Sequence, residues 1–70
     1  MAELCRFGKE IKKKLVDIDQ TQIWLIERVR QDTGKYFDGW YLHRILTGNI
    51  ATPSMVTSIC KILDLPIPKE

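Results

Sequence analysis

The sequence predicts an all-α protein, a bundle of four short helices in a single domain of 70 residues. Apolar residues recur at the three- and four-residue spacing of amphipathic helices in four separate segments. The segments are separated by residues that begin or end helices, namely Thr21, Gly34, Gly48 and the pair Thr52-Pro53. A chain of this length buries only about 60% of its unfolded surface, and helices with mostly local contacts suit so small a core.

The first helix is predicted over about residues 3–17. One apolar stripe runs along it, formed by Leu4, Phe7, Ile11 and Leu15. Basic residues cover its other faces: Arg6, Lys9, Lys12, Lys13 and Lys14. Such a group can bind the phosphates of a nucleic acid. The charge run taken alone, however, favours an ordinary solvated helix face.

The second helix is predicted over about residues 21–33, with Thr21 as its N-cap. Its inward face is formed by Leu25, Ile26 and Val29. Trp24 stands where a capping box would have a glutamate, so the cap lacks its usual partner. Gly34 can adopt the left-handed conformation that ends the helix.

The third helix is predicted over about residues 38–47, from the N-cap Asp38 to a stop at Gly48, and Phe37 is expected to anchor the preceding turn in the core. Its buried side is formed by Leu42, Ile45 and Leu46. Helical periodicity then directs five residues outward: Gly39, Trp40, His43, Arg44 and Thr47. The fourth helix, over about residues 53–64, has Pro53 at its first position. Its apolar residues are Met55, Val56, Ile59, Ile62 and Leu63.

Composition excludes some classes of protein and leaves others open. The net charge of +2, from 11 basic and 9 acidic residues, is too small to identify a partner. No run of apolar residues is long enough for a membrane span. Cys5 and Cys60 lie far apart in the chain, which favours a reducing compartment with Cys60 in the core over a disulfide.

The sequence does not contain the residue patterns of an enzyme. It has no nucleophile–base pair and no glycine-rich phosphate loop, so no catalytic residues and no cofactor are expected. His43 is the single histidine, without a carboxylate cluster around it, and no metal site is expected.

Three segments together resemble the helix-turn-helix domains of the phage repressor and Cro (XRE-type) family. They are, in chain order, Thr21-Gln22, Tyr41-Leu42-His43-Arg44-Ile45-Leu46-Thr47-Gly48 and Thr52-Pro53-Ser54. The resemblance covers roughly residues 7–65. It implies a lambda-repressor-like fold whose third helix enters the major groove of double-stranded DNA. It also implies a transcriptional regulator encoded by a phage or mobile element and acting in the bacterial cytoplasm.

The resemblance implies a role for particular residues. The base-reading positions correspond to Gly39, Trp40 and Arg44, beside which His43 lies on the same outward face. Arg44 can donate two hydrogen bonds to guanine, and Trp40 can pack on a thymine methyl or a sugar. The residues expected to contact the DNA backbone are Gln22, Lys13, Lys14, Thr47 and Asn49.

The chain departs from the family pattern in the turn between helices 2 and 3. The stretch Arg30–Tyr36 makes this region about six residues longer than the usual short connection, which predicts an extra turn on helix 2 followed by a loop. Ile23 and Trp24 are apolar at normally exposed positions, and with Tyr36 they could cover the insertion or bind a protein partner.

Two further alternatives remain open from the sequence. The first concerns function: a protein-interaction module on the same fold, such as an antirepressor, antitoxin or inhibitor. The second concerns Arg44, which could form a salt bridge to Asp38 or Glu27 and have no DNA contact. A homodimer on DNA is also open, although the chain ends where family members usually have a fifth helix for dimerisation.

Overall fold

The computed structural model describes residues 3–50 and 52–67, and this part of the chain contains four helices and no strands. The helices are α1 (Arg6–Asp17), α2 (Gln22–Thr33), α3 (Gly39–Leu46) and α4 (Pro53–Leu63). The predicted all-α class is therefore confirmed. None of the described helices is long and apolar enough to cross a lipid bilayer.

Three helices begin at the N-caps that the sequence predicts. Thr21 Oγ1 accepts a hydrogen bond from the backbone N–H of Trp24 at 3.0 Å, and Asp38 Oδ1 accepts one from the N–H of Tyr41 at 2.8 Å. Thr52 precedes α4 in an extended conformation, but its side chain makes no capping hydrogen bond. Each of these three helices is preceded by a polar residue in an extended conformation, as is usual for N-caps.

The predicted start of α1 at about residue 3 is wrong, because the helix begins at Arg6. Cys5 is the N-cap, and its Sγ accepts a hydrogen bond from the backbone N–H of Gly8 at 3.3 Å. The Cys5 N–H donates to the carbonyl of Leu46 at 2.9 Å. This bond to the end of α3 fixes the chain just before α1, where Cys5 has an extended conformation from which the helix begins.

The core lies where α2 packs on α4 and α1 packs on α3, with further contacts of α2 on α3 and of α1 on α4. Its buried members are Ile11, Leu15, Leu25, Val29, Phe37, Leu42, Ile45, Leu46, Met55, Ile59 and Leu63. Phe37, in the connection between α2 and α3, has no exposed surface, as the sequence predicts. Leu4 and Phe7, at the predicted start of the α1 stripe, and Ile26 and Ile62 are only half-buried.

Residues 30–38, at the end of α2 and before α3, are divided between helix and loop. α2 has 12 residues and continues to Thr33, and Gly34 then ends it with a left-handed φ of 67°. Residues 34–38 follow as the loop to α3, and the buried Phe37 attaches them to the core. This division agrees with the predicted extra turn on helix 2 followed by a loop.

A polar cluster joins α2 to α4 at the surface. Asp32 accepts a hydrogen bond from the hydroxyl of Ser58 at 2.7 Å and forms a salt bridge with Lys61 Nζ at 2.6 Å. The hydrogen bond from Lys61, followed in importance by that from Ser58, holds the pKa of Asp32 below its ordinary value. The hydrogen bond also satisfies the hydroxyl of Ser58, which is buried among apolar residues of α4.

Candidate nucleic-acid interface

The outward side of α3 presents the residues expected to read DNA bases. Leu42, Ile45 and Leu46 are buried. Because neighbours on one helix face are three and four positions apart, the opposite side exposes Trp40, His43 and Arg44 together. Gly39 is the first residue of the helix and is also exposed. The four predicted base-reading residues therefore lie on one open surface.

Trp40 and His43 form a stacked pair on this surface. Their ring centroids are 5.8 Å apart, and the ring planes differ by 21°. Trp40 nevertheless keeps 68% of its surface exposed. The pair is a rigid aromatic surface beside Arg44, and a large exposed aromatic group of this kind is characteristic of binding surfaces more than of helix faces that contact only water.

Arg44 is exposed and does not form the salt bridge that the sequence left open. In residues 3–50 and 52–67, the one salt bridge joins Lys61 to Asp32. Glu27 and Asp38 thus leave the guanidinium of Arg44 unpaired. Its N–H donors remain available to an acceptor such as guanine O6 and N7.

Asp38 is occupied by other donors. Its Oδ1 accepts from the Tyr41 N–H, and its Oδ2 accepts from the phenol of Tyr36. The Tyr36 phenol, more than the Tyr41 N–H, holds the pKa of Asp38 below its ordinary value, and the same carboxylate raises the pKa of Tyr36. The N-terminus of α3 therefore already carries an ionised carboxylate, and the positive end of the helix dipole stabilises its negative charge.

The residues expected to contact the DNA backbone come from three parts of the chain. Gln22 is the exposed first residue of α2, and Lys13 and Lys14 lie near the end of α1, with Lys14 half-buried. Asn49 is exposed in the loop after α3, where its N–H donates to the carbonyl of Arg44 at 2.9 Å. All four side chains have groups that can donate hydrogen bonds to phosphate oxygens.

Thr47 differs from the other candidates because its hydroxyl is already engaged. Its Oγ1 donates to the carbonyl of His43 at 3.0 Å and accepts from Asn49 Nδ2 at 3.2 Å. A hydroxyl has a single proton to donate. Thr47 therefore stabilises the end of α3 and has no proton left for a phosphate in this arrangement.

A cleft beside the exposed face of α3 was not predicted. Its volume is about 230 Å³, and it is lined by Tyr36, Asp38, Trp40, Tyr41, Arg44 and Ile50. The four-residue spacing of Trp40 and Arg44 predicts that they share a face. Ile50 reaches the cleft because the chain folds back after α3, where its N–H donates to the Arg44 carbonyl at 3.4 Å. Only the three-dimensional path of this loop reveals that position.

Exposed apolar side chains also lie near the end of α1 and at the start of α2. Ile23 is 70% exposed and Val16 is 78% exposed. Trp24 is half-buried, and the guanidinium of Arg28 lies 5.9 Å from the centroid of its ring. Tyr36 is 71% exposed, and its phenol donates to Asp38, so Ile23 and Tyr36 are the two largely exposed members of the three residues expected to bind a protein partner.

No protein-family model matches the chain, and no curated protein or solved structure shows significant similarity to it. Within the described residues, no group of three or more His, Cys, Asp and Glu side chains is arranged to hold a metal ion.

Proposed function

We propose that this protein is a sequence-specific double-stranded DNA-binding regulator of transcription that reads the major groove with α3. The observation that carries the proposal is the unpaired guanidinium of Arg44, exposed beside the stacked Trp40 and His43. An α-helix fits the major groove, and arginine donates two parallel hydrogen bonds to guanine more often than it makes any other specific contact there.

Contacts to phosphates would fix the register of α3 on the duplex. Gln22 and Asn49 offer amide donors, and Lys13 and Lys14 offer positive charges. Such contacts position a protein without reading sequence, which leaves specificity to the face of α3. The net charge of +2 is compatible with this division, since few cations are needed when they lie on the DNA side.

The proposal includes the arrangement and setting that the family resemblance implies. The helices would form a lambda-repressor-like domain, encoded by a phage or mobile element and acting in the bacterial cytoplasm. Bound at a promoter, the protein would occlude or recruit polymerase, and neither action requires a cofactor. One module buries only about 600–1,000 Å² on DNA, so tight binding would require a homodimer or a second bound protein.

Amide chemical shifts test this proposal directly. Isotope-labelled protein is titrated by NMR with a mixed-sequence duplex at low salt, where even weak binding is detected. The expected shifts concentrate at Gln22, residues 39–44, Asn49 and the lysines of α1. A parallel titration with Arg44→Ala serves as the control and should lose mainly the shifts around α3. An absence of shifts would contradict DNA binding, and shifts that miss α3 would contradict the binding of α3 in the major groove.

A second candidate function is a protein-interaction module, such as an antirepressor, antitoxin or inhibitor. The exposure of Ile23 and Val16 supports it, because apolar groups this open are often covered by a partner. Salt separates the two candidates: DNA binding falls steeply between about 50 and 200 mM salt. An apolar protein contact changes little over that range, and Ile23→Ser, which adds no charge, should weaken it with little effect on DNA binding.

A further inference from the structure

The cleft at the side of α3 combines apolar walls with a cation. The rings of Trp40 and Tyr41 and the side chain of Ile50 supply apolar surface, and Arg44 stands at the same cleft. Trp40 and Arg44 are one turn apart on α3. A ligand group that enters the cleft from the exposed face of α3 therefore lies next to the N–H donors of the Arg44 guanidinium.

The walls of the cleft are held in place before any ligand binds. The phenol of Tyr41 donates to Thr52 Oγ1 at 2.7 Å, and its ring packs on the buried Phe37 with centroids 5.0 Å apart. Stacking on His43 holds the opposite wall, Trp40. A preformed cleft loses little conformational entropy when it is filled, which favours binding of even a small group.

The charges around the cleft decide which chemistry suits it. The hydrogen bonds from Tyr36 and Tyr41 hold the pKa of Asp38 below its ordinary value, so that this carboxylate is charged at neutral pH. An ionised carboxylate in the lining opposes a phosphate. The apolar walls instead favour a small apolar group, and in the major groove such a group is the C5-methyl of thymine.

We propose that this cleft receives the 5-methyl group of a pyrimidine adjacent to the guanine bound by Arg44, so that the protein selects a thymine–guanine step. The inference rests on the proposed DNA-binding function and adds a determinant of specificity to it. Trp40, Tyr41 and Ile50 surround the methyl group, and the guanidinium of Arg44 binds the O6 and N7 atoms of the neighbouring base. A cleft of about 230 Å³ admits the methyl-bearing edge of a base.

Two duplex pools that differ only in this methyl group test the inference. One random-sequence pool is copied with thymidine triphosphate and again with deoxyuridine triphosphate, and both copies compete for the immobilised protein at low salt. Duplexes that carry the selected step should be retained about fourfold better in the thymine copy than in the uracil copy, the effect of burying one methyl group. Sequencing of the retained DNA should show thymine beside guanine.

Single substitutions in the selected duplex then locate the methyl group. Uracil in place of the selected thymine should weaken binding about fourfold. A cytosine–guanine pair at that position should bind better when the cytosine carries a 5-methyl group. These two comparisons change the methyl group while leaving the hydrogen-bonding edge of the base the same.

Protein variants assign the methyl group to the cleft. Trp40→Ala removes one wall, so the ratio of the affinities for the thymine and uracil forms of the selected duplex should fall from about four to about one, whatever the change in overall affinity. Val16→Ala is the matched control, because it removes another exposed apolar side chain, on α1, and should keep the full preference. Both side chains are largely exposed, and circular dichroism verifies that the variants remain helical.

Each failure has a distinct meaning. Retention of neither pool would overturn the DNA-binding proposal and this inference with it. Equal retention of the selected duplex in its thymine and uracil forms would overturn the inference alone and leave DNA binding established. A preference for thymine that survives in Trp40→Ala would also overturn it, because the methyl group would then be bound outside this cleft.

Discussion

Arg44 and Lys13 would contribute to the complex with DNA in different ways. Arg44→Ala removes the bidentate donor, so discrimination at one base pair should fall by about 1–3 kcal/mol. Lys13→Ala removes a phosphate contact, so it should weaken all sequences alike and reduce the salt slope by about one. Fluorescence-anisotropy titrations of the selected duplex and a one-base variant, each at several salt concentrations, measure both effects. Equal losses on every sequence for Arg44→Ala would exclude base reading.

Gly8 allows the close approach of α1 to α3. A Cβ at this position would lie 2.1 Å from the carbonyl oxygen of Leu46, and backbone cannot move aside as a flexible side chain can. Gly8→Ala should therefore destabilise the protein by about 3 kcal/mol. For a domain of this size that lowers the Tm by more than about 10 °C.

Gly39→Ala is the matched control for Gly8→Ala. Its added Cβ would meet only Ile26 Cδ1, at 3.9 Å, which is ordinary contact. Alanine also favours helix over glycine, so the Tm should stay the same or rise slightly. Thermal unfolding followed by circular dichroism compares the two variants. A Tm for Gly8→Ala equal to that for Gly39→Ala would show that α1 and α3 are farther apart in solution.

At the scale of helices, Thr21 and Thr52 precede α2 and α4 but stabilise the fold differently. Thr21→Ala removes a capping hydrogen bond and should cost about 1 kcal/mol. The side chain of Thr52 makes no capping hydrogen bond, and its hydroxyl instead accepts a hydrogen bond from the phenol of Tyr41. Thr52→Ala should therefore cost about 1 kcal/mol through the lost link between α3 and the start of α4.

A double-mutant cycle separates these two roles. In a Tyr41→Phe background, Thr52→Ala should lose most of its effect, because the partner of the hydroxyl is already absent. Thr21→Ala should cost the same in both backgrounds. Urea unfolding gives the six free energies, those of the native chain, the three single variants and the two double variants. An undiminished effect of Thr52→Ala in Tyr41→Phe would mean that Thr52 acts through the backbone of α4 and not through Tyr41.

The Asp32 cluster between α2 and α4 makes stability depend on pH. Its hydrogen bonds lower the pKa of Asp32 from the ordinary value of 3.8. A lowered folded-state pKa contributes stability that is fully present above the unfolded-state pKa and is lost as the pH falls through the folded-state pKa. The contribution should therefore be complete at neutral pH and decline only below about pH 4.

Asp32→Asn isolates this contribution from that of other carboxylates. The difference in unfolding free energy between the native chain and Asp32→Asn, measured in urea, should be constant from pH 7 to about pH 5. It should shrink at more acidic pH as Asp32 becomes protonated. A difference that does not change with pH would show that Lys61 and Ser58 do not stabilise the ionised form.

Local sequence patterns predicted the four helices well. The features that they did not predict depend on contacts between helices. Apolar spacing and capping residues such as Thr21 and Asp38 located the helices, because both signals act within a few residues. The start of α1 depends on Cys5, which is not a usual N-cap and bonds to the distant Leu46. Gly8 lies on the apolar stripe of α1, three residues before Ile11, but only the structure shows that the backbone of Leu46 packs against it.

The candidate site shows the same limit. Helical periodicity predicted that Trp40, His43 and Arg44 share an exposed face. It could not predict that Ile50 completes a cleft, since this depends on the path of the loop after α3. The bond from the hydroxyl of Thr47 to the carbonyl of His43, four residues earlier, is instead a local bond that threonine can form in any helix. The same periodicity left a salt bridge of Arg44 open, and only the placement of acidic side chains excludes it.

At the scale of the whole molecule, size determines how two copies fit on DNA. The principal extents of the protein are 28 × 24 × 24 Å. Half-sites one helical turn apart are separated by about 34–36 Å. Two copies can therefore occupy successive half-sites on one side of a duplex without overlap, and contacts between them would come from side chains at their edges.

The salt dependence of the binding constant indicates how many copies of the protein bind to the selected duplex. Each phosphate contact contributes about −0.9 to the slope of log K against log salt. If Lys13 and Lys14 each contact one phosphate, the slope should be about −2 for one copy and about −4 for two. Anisotropy titrations at several salt concentrations give the slope, and sedimentation of the complex gives the stoichiometry independently. A slope near zero with retained binding would mean that the lysines of α1 do not contact DNA. Two bound copies with a slope of about −2 would mean that only one lysine in each copy contacts a phosphate.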